Sequence, residues 1–436
     1  MSVVGYIMFL KITLILKFKN IYYLHFLMIL FILLNLEDLN LFMLKIFGVF
    51  SVSSMSFLLI QLTVWILILM IFSWGGEESK QLMSWKLVLL IVLIFFFVSS
   101  SFMGFYIYFE ISLIPLFYMI LGWGPQYQRI RAGMFMMGYA LFSSLPFFGV
   151  LMFLNYKFFT LDMNMLKCMK IQMESDFFYI SMMMVFLVKL PIFMLHGWLP
   201  KAHVEAPLFG SMMLAGVMLK LGGFGVLQVF YMMDNIYIKN NFLILFSLSG
   251  SLYISIITLY QLDLKMLVAY SSIVHMGLML SGLSTLTLSG VNGAMYMMIG
   301  HGLCSSGLFC LVNLSYEILK SRSILINKGL MNMNKSLSLL WFLLSMFNLG
   351  VPPSLSFFSE ILLINSVISW STVIVVMMSG LIFFNSYYNF HLFSFSQHGM
   401  TFKGMVFKML NLKDYVLILF HLVPLILIVF KLEIFV

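Results

Sequence analysis

Charge is what this sequence has least of. Only 9% of its 436 residues are Asp, Glu, Lys or Arg, against 63% hydrophobic and 17% aromatic. A soluble domain carries about a quarter charged residues, so a water-facing globule is excluded. Cysteine is scarcer still. Cys168, Cys304 and Cys310 are odd in number and include no CxxC pair, which argues against both a disulfide framework and a cysteine metal site. The first residues, MSVVGYIMFLKITLILKFKN, have no positive charge ahead of the apolar run and no A-x-A-like cleavage site. They are neither Arg-rich nor Ser-rich, so they read as a membrane helix rather than a removable leader. No stretch is polar enough for a soluble domain or long linker.

The chain is instead rich in apolar runs, with 47 Phe and 40 Met. So much Met beside Phe and Ile fits an A+T-biased, organelle-encoded gene. The net charge of +9 is spread a few residues per loop, which marks topology rather than nucleic-acid binding. A hydrocarbon core of about 30 Å needs about 20 apolar residues per helix. That spacing predicts an all-α polytopic membrane protein of about fourteen helices, centred near Leu14, Ile29, Val64, Val92, Leu113, Phe142, Val188, Val217, Leu248, Ile273, Leu303, Met346, Leu381 and Leu422. Odd-numbered loops hold most of the bases, among them Lys17, Lys80, Lys86, Arg129, Arg131, Lys201, Lys265, Arg322 and Lys403, against Lys45, Lys157, Lys167, Lys170 and Lys239 in the even ones. The positive-inside rule then places both termini on the outer side.

Four charges remain inside apolar segments: Glu110 in SFMGFYIYFEISLIPLFYM, Lys189 in MMMVFLVKLPIFML, Lys220 in AGVMLKLGGFGVLQ and Glu360 in VPPSLSFFSEILLINS. Each costs about 2.5 to 3.5 kcal/mol or more at mid-membrane, so each must face the bundle interior, a partner charge or water. A solvated helix end for Glu110, or an ion pair that merely packs helices for Lys220, is the plainer reading. Two acids and two bases together favour function. Prolines stand beside two of them: Pro191 follows Lys189, and Pro352 and Pro353 precede Glu360. Proline in a helix interior removes a backbone hydrogen bond. A broken helix beside a charge in each half of a chain is the pattern of transporters built from inverted repeats, although simple kinks would look the same.

His196, His275 and His301 also lie in apolar segments, either bonded to a carbonyl or serving as proton relays near neutral pH. Ser143, Ser144, Ser271, Ser272, Ser305 and Ser306 could orient water or simply pack helices. His203-Val-Glu205 has the H-x-E form of zinc deaminases, but no P-C-x-x-C follows and the stretch reads as a loop. LKLGGFGVLQ lacks the phosphate-binding pattern, and its glycines suit close helix packing.

The run LPIFMLHGWLPKAHVEAPLFGSMMLAGVMLKLGGFG, with DLKMLVAYSSIVHMG and HGLCSSGLFCLVN after it, resembles the antiporter-like membrane subunits of respiratory complex I, NADH:ubiquinone oxidoreductase. The likeness runs over about residues 80 to 400 and is carried less by motif in the first 70. It implies fourteen helices in two inverted five-helix repeats: residues 1–75 for helices 1–3, 86–235 for the first repeat, 240–398 for the second and 410–436 for the last helix. It assigns proton transfer to Glu110 on the fifth helix, Lys189 on the broken seventh, Lys220 on the eighth and Glu360 on the broken twelfth, with His196, His275 and His301 as secondary relays. It implies no cofactor in this chain, with NADH, FMN, Fe–S clusters and ubiquinone held by other subunits. The partners implied are chains 2 and 5 of the membrane arm, the lateral helix of chain 5, accessory subunits and lipids such as cardiolipin, in the mitochondrial inner membrane with both termini toward the intermembrane space. A free-standing cation/proton antiporter, or a structural spacer of the membrane arm that moves no protons, are the rival readings.

Overall fold

The computed structural model of the protein describes residues 44–46, 50–73, 79–171, 176–233, 237–400 and 410–430. The segments centred on Leu14 and Ile29 lie outside the described residues. The described helices form ten spans long and apolar enough to cross a membrane, Phe102–Trp123 and Leu208–Met232 each joining two of them. In chain order the helices are α1 (Ser54–Ser73), α2 (Lys80–Val98), α3 (Phe102–Ile111), α4 (Leu113–Trp123), α5 (Arg129–Phe158), α6 (Met163–Met169), α7 (Asp176–Lys189), α8 (Trp198–Glu205), α9 (Leu208–Met213), α10 (Leu219–Met232), α11 (Tyr237–Thr258), α12 (Leu264–Ser284), α13 (Leu288–Leu319), α14 (Leu330–Met333), α15 (Lys335–Leu349), α16 (Leu355–Trp370), α17 (Val375–Gln397) and α18 (Leu412–Leu427).

These runs become helices because lipid offers no hydrogen-bond partners, so the backbone must satisfy itself within each segment. Polar side chains close several starts: Ser79, Ser101, Thr287, Asn334 and Ser354 each accept an N–H from the first turn. One departure from an all-helical chain is a short antiparallel pair, β1 (Leu44–Ile46) and β2 (Phe50–Val52), with Lys45 opposite Ser51. It precedes the first described helix and leaves the bundle unchanged.

Two apolar segments are split, and both splits fall where proline predicts them. Helix α7 ends at Lys189 and α8 starts at Trp198, with Pro191 in the turn between. Helix α15 ends at Leu349 and α16 starts at Leu355, with Pro352 and Pro353 between. Two central spans are enclosed by the others. Leu208–Met232 and the 32-residue α13 are buried throughout their most apolar windows, and α13 at about 48 Å outreaches the hydrocarbon. Helix α13 packs on α12, α16 and the span Leu208–Met232, while α7 packs on α5 and α10. The glycines of LKLGGFG permit the last of these contacts, since a Cβ on Gly222 would lie 2.9 Å from the Phe186 carbonyl.

Candidate functional site

Two groups of charged and polar side chains lie inside this bundle. The first forms where α3 meets the end of α7. Glu110 stands near the middle of the span Phe102–Trp123, and its Oε1 is buried without a hydrogen-bond partner. Lys189, 3% exposed, ends α7 and places its ammonium 5.1 Å from the centre of the Phe109 ring. Lys189 and the Ser144 hydroxyl are the groups that act on the Glu110 carboxylate. Direct contact between the two charges would fit a pair at about 4 Å, but no ion pair joins them among the described residues. The Phe109 ring under the Lys189 ammonium packs on Phe186 at 5.9 Å. Phe96, Phe105, Phe147 and Phe224 extend that aromatic wall. It encloses Lys189, and a low-dielectric surround lengthens the reach of a charge.

The break after Lys189 is held open in a defined way. Trp198, the first residue of α8, donates its indole N–H to the Val188 carbonyl at 2.9 Å. One carbonyl freed by the split is thereby satisfied without a helix. His196 lies within the break, half-buried, with its ring 6.0 Å from Phe193 and 6.2 Å from Tyr270. It joins neither group of charges directly.

The second group runs in contact from the first half of the chain into the second. Lys220, fully buried, follows a π-helical turn, Leu214–Met218, that interrupts the span between α9 and α10. A π-turn leaves carbonyls out of the regular ladder. The Lys220 ammonium donates to one of them, Ala215 O, at 2.5 Å, and stands 3.2 Å from His301 Nδ1 on α13. The His301 ring is 5.4 Å from that of His275 on α12. His275 Nδ1 is 3.6 Å from Glu360 Oε1 on α16, and its Nε2 is 3.5 Å from the Tyr388 hydroxyl on α17. Four helices therefore contribute one line: Lys220, His301, His275, Glu360.

Glu360 is fitted to the second break. Gly350 caps α15 with φ +80°, and a Cβ there would lie 2.6 Å from Glu360 Oε2. Only glycine takes that backbone freely and leaves the carboxylate its place. The surroundings are polar. Asn348 donates to Asn389 Oδ1 at 2.8 Å, Asn389 donates to the Asn385 carbonyl at 3.0 Å, and Ser356 donates to the Phe347 carbonyl. Asn348, Tyr388 and Asn389 escape a search for charges, because isolated polar residues are common in membrane helices.

Apart from Ser144, which also acts on Glu110, the serines take the plainer role. Ser143, Ser144, Ser271, Ser272, Ser305 and Ser306 each bond back to a carbonyl three or four residues earlier. His203 and Glu205 are not in a loop. They sit on α8, both buried, because the half-helix after the break turns back into the bundle. Lys86 and Lys265, read from sequence as loop charges, are likewise buried. Loop assignment from hydropathy misplaces charges that stand in the first turns of a helix. Among the described residues no cluster of His, Cys, Asp and Glu could hold a metal ion.

This arrangement of broken helices and buried charges has close relatives. Residues 99–385 match the transmembrane family described as NADH:quinone oxidoreductase/Mrp antiporter. The chain belongs to this family. Its relatives include NADH-ubiquinone oxidoreductase chain 4 of Ceratitis capitata, 45% identical over 389 residues that cover 87% of this chain and 86% of that one. The same-named chain of Aedes aegypti is 47% identical over 328 residues, 75% of this chain and 73% of that one. A chain of respiratory complex I from Thermus thermophilus has the same fold at 22% identity, with a TM-score of 0.84 over 92% of this chain and 89% of its own. The family likeness drawn from LPIFMLHGWLPKAHVEAPLFG is therefore correct, and the protein is a multi-pass membrane protein.

Proposed function

We propose that this chain is a proton-carrying subunit in the membrane arm of NADH:ubiquinone oxidoreductase, and that protons cross it along its buried charges. The observation that carries the reading is the line of polar groups from Lys220 through His301 and His275 to Glu360, with spacings of 3.2 Å at one end and 3.6 Å at the other and a 5.4 Å step between the two imidazole centres. Histidine can accept on one ring nitrogen and donate from the other, so two in series pass a proton by small rotations. Glu110 and Lys189 form the loading pair. Desolvation and a nearby carboxylate pull a buried lysine's proton affinity in opposite directions. At about 4 Å and an effective dielectric near 20, closing such a pair is worth about 4 kcal/mol. Moving one charge against 100 mV takes about 2.3 kcal/mol, so a change in one pair is of the size that transport requires.

The work itself comes from quinone reduction, with NADH, FMN, Fe–S clusters and ubiquinone bound by other subunits. Coupling reaches this chain through its neighbours, chains 2 and 5, in the mitochondrial inner membrane, with both termini toward the intermembrane space. The two splits, each beside a charge, support two inverted repeats. Identity above 40% to two proteins named as chain 4 favours this assembly over a free-standing antiporter. The test is Lys189→Met in the assembled complex, which abolishes pumping through this chain; full pumping with normal assembly removes Lys189 from the path. Glu360→Gln tests the exit side in the same way, and intact pumping there defeats the assignment.

A further inference from the structure

The path above leaves a group of buried and half-buried charges unused at the far end of α8. This half-helix ends at Glu205, and its last carbonyls have no partner within the helix. Two cations from the second half of the chain supply them. Arg322 Nη1 donates to Val204 O at 2.8 Å, and Lys265 Nζ donates to Ala206 O at 3.2 Å. The cations flank the Glu205 carboxylate, which is 4% exposed with Oε2 unpartnered, yet neither forms a direct ion pair with it among the described residues.

The two cations arrive as one unit. The chain before α12 and the chain after α13 are joined by an antiparallel bridge, Asp263 to Ser323. Leu264 N–H donates to Arg322 O at 3.0 Å, and Ile324 N–H donates to Leu262 O at 2.8 Å. The backbones that carry Lys265 and Arg322 are thus tied to each other independently of α8. The other end of α8 is tied by Trp198 to Val188. A half-helix detached from its own span at a break is therefore held at one end by its own half of the chain and at the other by the opposite half. Between the two ties lies His203, fully buried, its ring stacked 4.5 Å from Phe309 and only 3° from parallel. Both its ring nitrogens lack a partner, and it lies within electrostatic range of Lys220 and Lys265.

We propose that Lys265 and Arg322 are positioning residues: they clamp the C-terminal carbonyls of α8 and so fix His203 within electrostatic range of Lys220 and couple the half-helix of the first half to the rim of the second. The functional part rests on the proton-carrying role of Lys220; the clamp does not. Cations suit this place because the C-terminal end of a helix is negative, and a charged donor holds a carbonyl more firmly than a neutral one.

Hydrogen–deuterium exchange across residues 198–208 of the assembled complex reads the clamp directly. Arg322→Gln and Lys265→Gln each raise exchange there by about tenfold, with the change confined to this segment, and the double variant raises it further. Arg322→Lys keeps a cationic donor and restores protection, which a simple packing role does not predict. The ratio of protons to electrons falls in step with the exchange. Unchanged exchange in the double variant, or equal exchange in Arg322→Lys and Arg322→Gln, overturns the clamp. Should Arg322→Gln not assemble, Lys265→Gln alone decides, and wild-type protection in it overturns the clamp. Lys220→Met separates the two readings: normal pumping in that variant defeats the proton path, while exchange at 198–208 continues to report on the clamp.

Discussion

Removing the His301 ring tests the central line most sharply. The Lys220 ammonium has two acceptors within hydrogen-bond distance, Ala215 O at 2.5 Å and His301 Nδ1 at 3.2 Å. His301→Leu takes away the second and leaves His275 as the next member of the line, one ring farther on across a 5.4 Å centre-to-centre step. Proton transfer needs heavy atoms within about 3.2 Å, or one bridging water, and leucine supports neither. Loss of a hydrogen bond to a charged group is worth about 1.5 to 3 kcal/mol, which slows the transfer by about ten- to a hundredfold. The assay is acidification per NADH oxidised, with the complex reconstituted in sealed vesicles. The expected result is a lower ratio of protons to electrons at normal assembly. Two companions sharpen it. His301→Gln keeps an acceptor for Lys220 but cannot titrate, so it pumps as poorly as His301→Leu. His421 is buried on α18 with Nδ1 2.9 Å from the Leu417 carbonyl, off the line, and His421→Gln pumps normally. A wild-type rate and ratio in His301→Leu refutes the relay.

Gly350→Ala puts a Cβ 2.6 Å from Glu360 Oε2 at φ +80°. It costs about 1 to 2 kcal/mol in backbone strain and pushes the carboxylate from its place. Lower melting temperature and lost pumping together are expected, and normal pumping would show that the position of Glu360 is not critical. Lys239→Ala breaks the 2.8 Å pair with Asp176, which is largely exposed; stability changes by less than about 1 kcal/mol, and thermal melts of the two proteins overlay.

Much of this was legible in order and kind. The described spans fall on the apolar segments, because membrane thickness sets a minimum length for an apolar run that crosses it. The breaks fall at Pro191 and at Pro352 and Pro353, where proline removes a ladder hydrogen bond, while Pro146 and Pro424 lie within helices that run on through them. Glu110, Lys189, Lys220 and Glu360 stand out because a charge in an apolar run is costly wherever it points. The π-turn at Leu214–Met218 has no comparable signal, since Ala215 and Gly216 fit an ordinary helix equally well. Hydropathy puts Lys86, Lys265 and the stretch His203 to Glu205 in loops, because it records the apolar stretch and not the turn at which a helix enters the bundle.

The sequence by itself determined that this is a membrane protein with a few costly charges and two interrupted helices, since those follow from local composition and backbone chemistry. Only the tertiary structure decided which charges meet. Lys220 and His301 lie 81 positions apart, and they touch because two enclosed spans cross there. The same packing keeps Glu110 and Lys189 out of direct contact and delivers Lys265 and Arg322 to the end of α8. Contacts between distant parts of a chain depend on how every intervening helix packs, and no local run of residues encodes that.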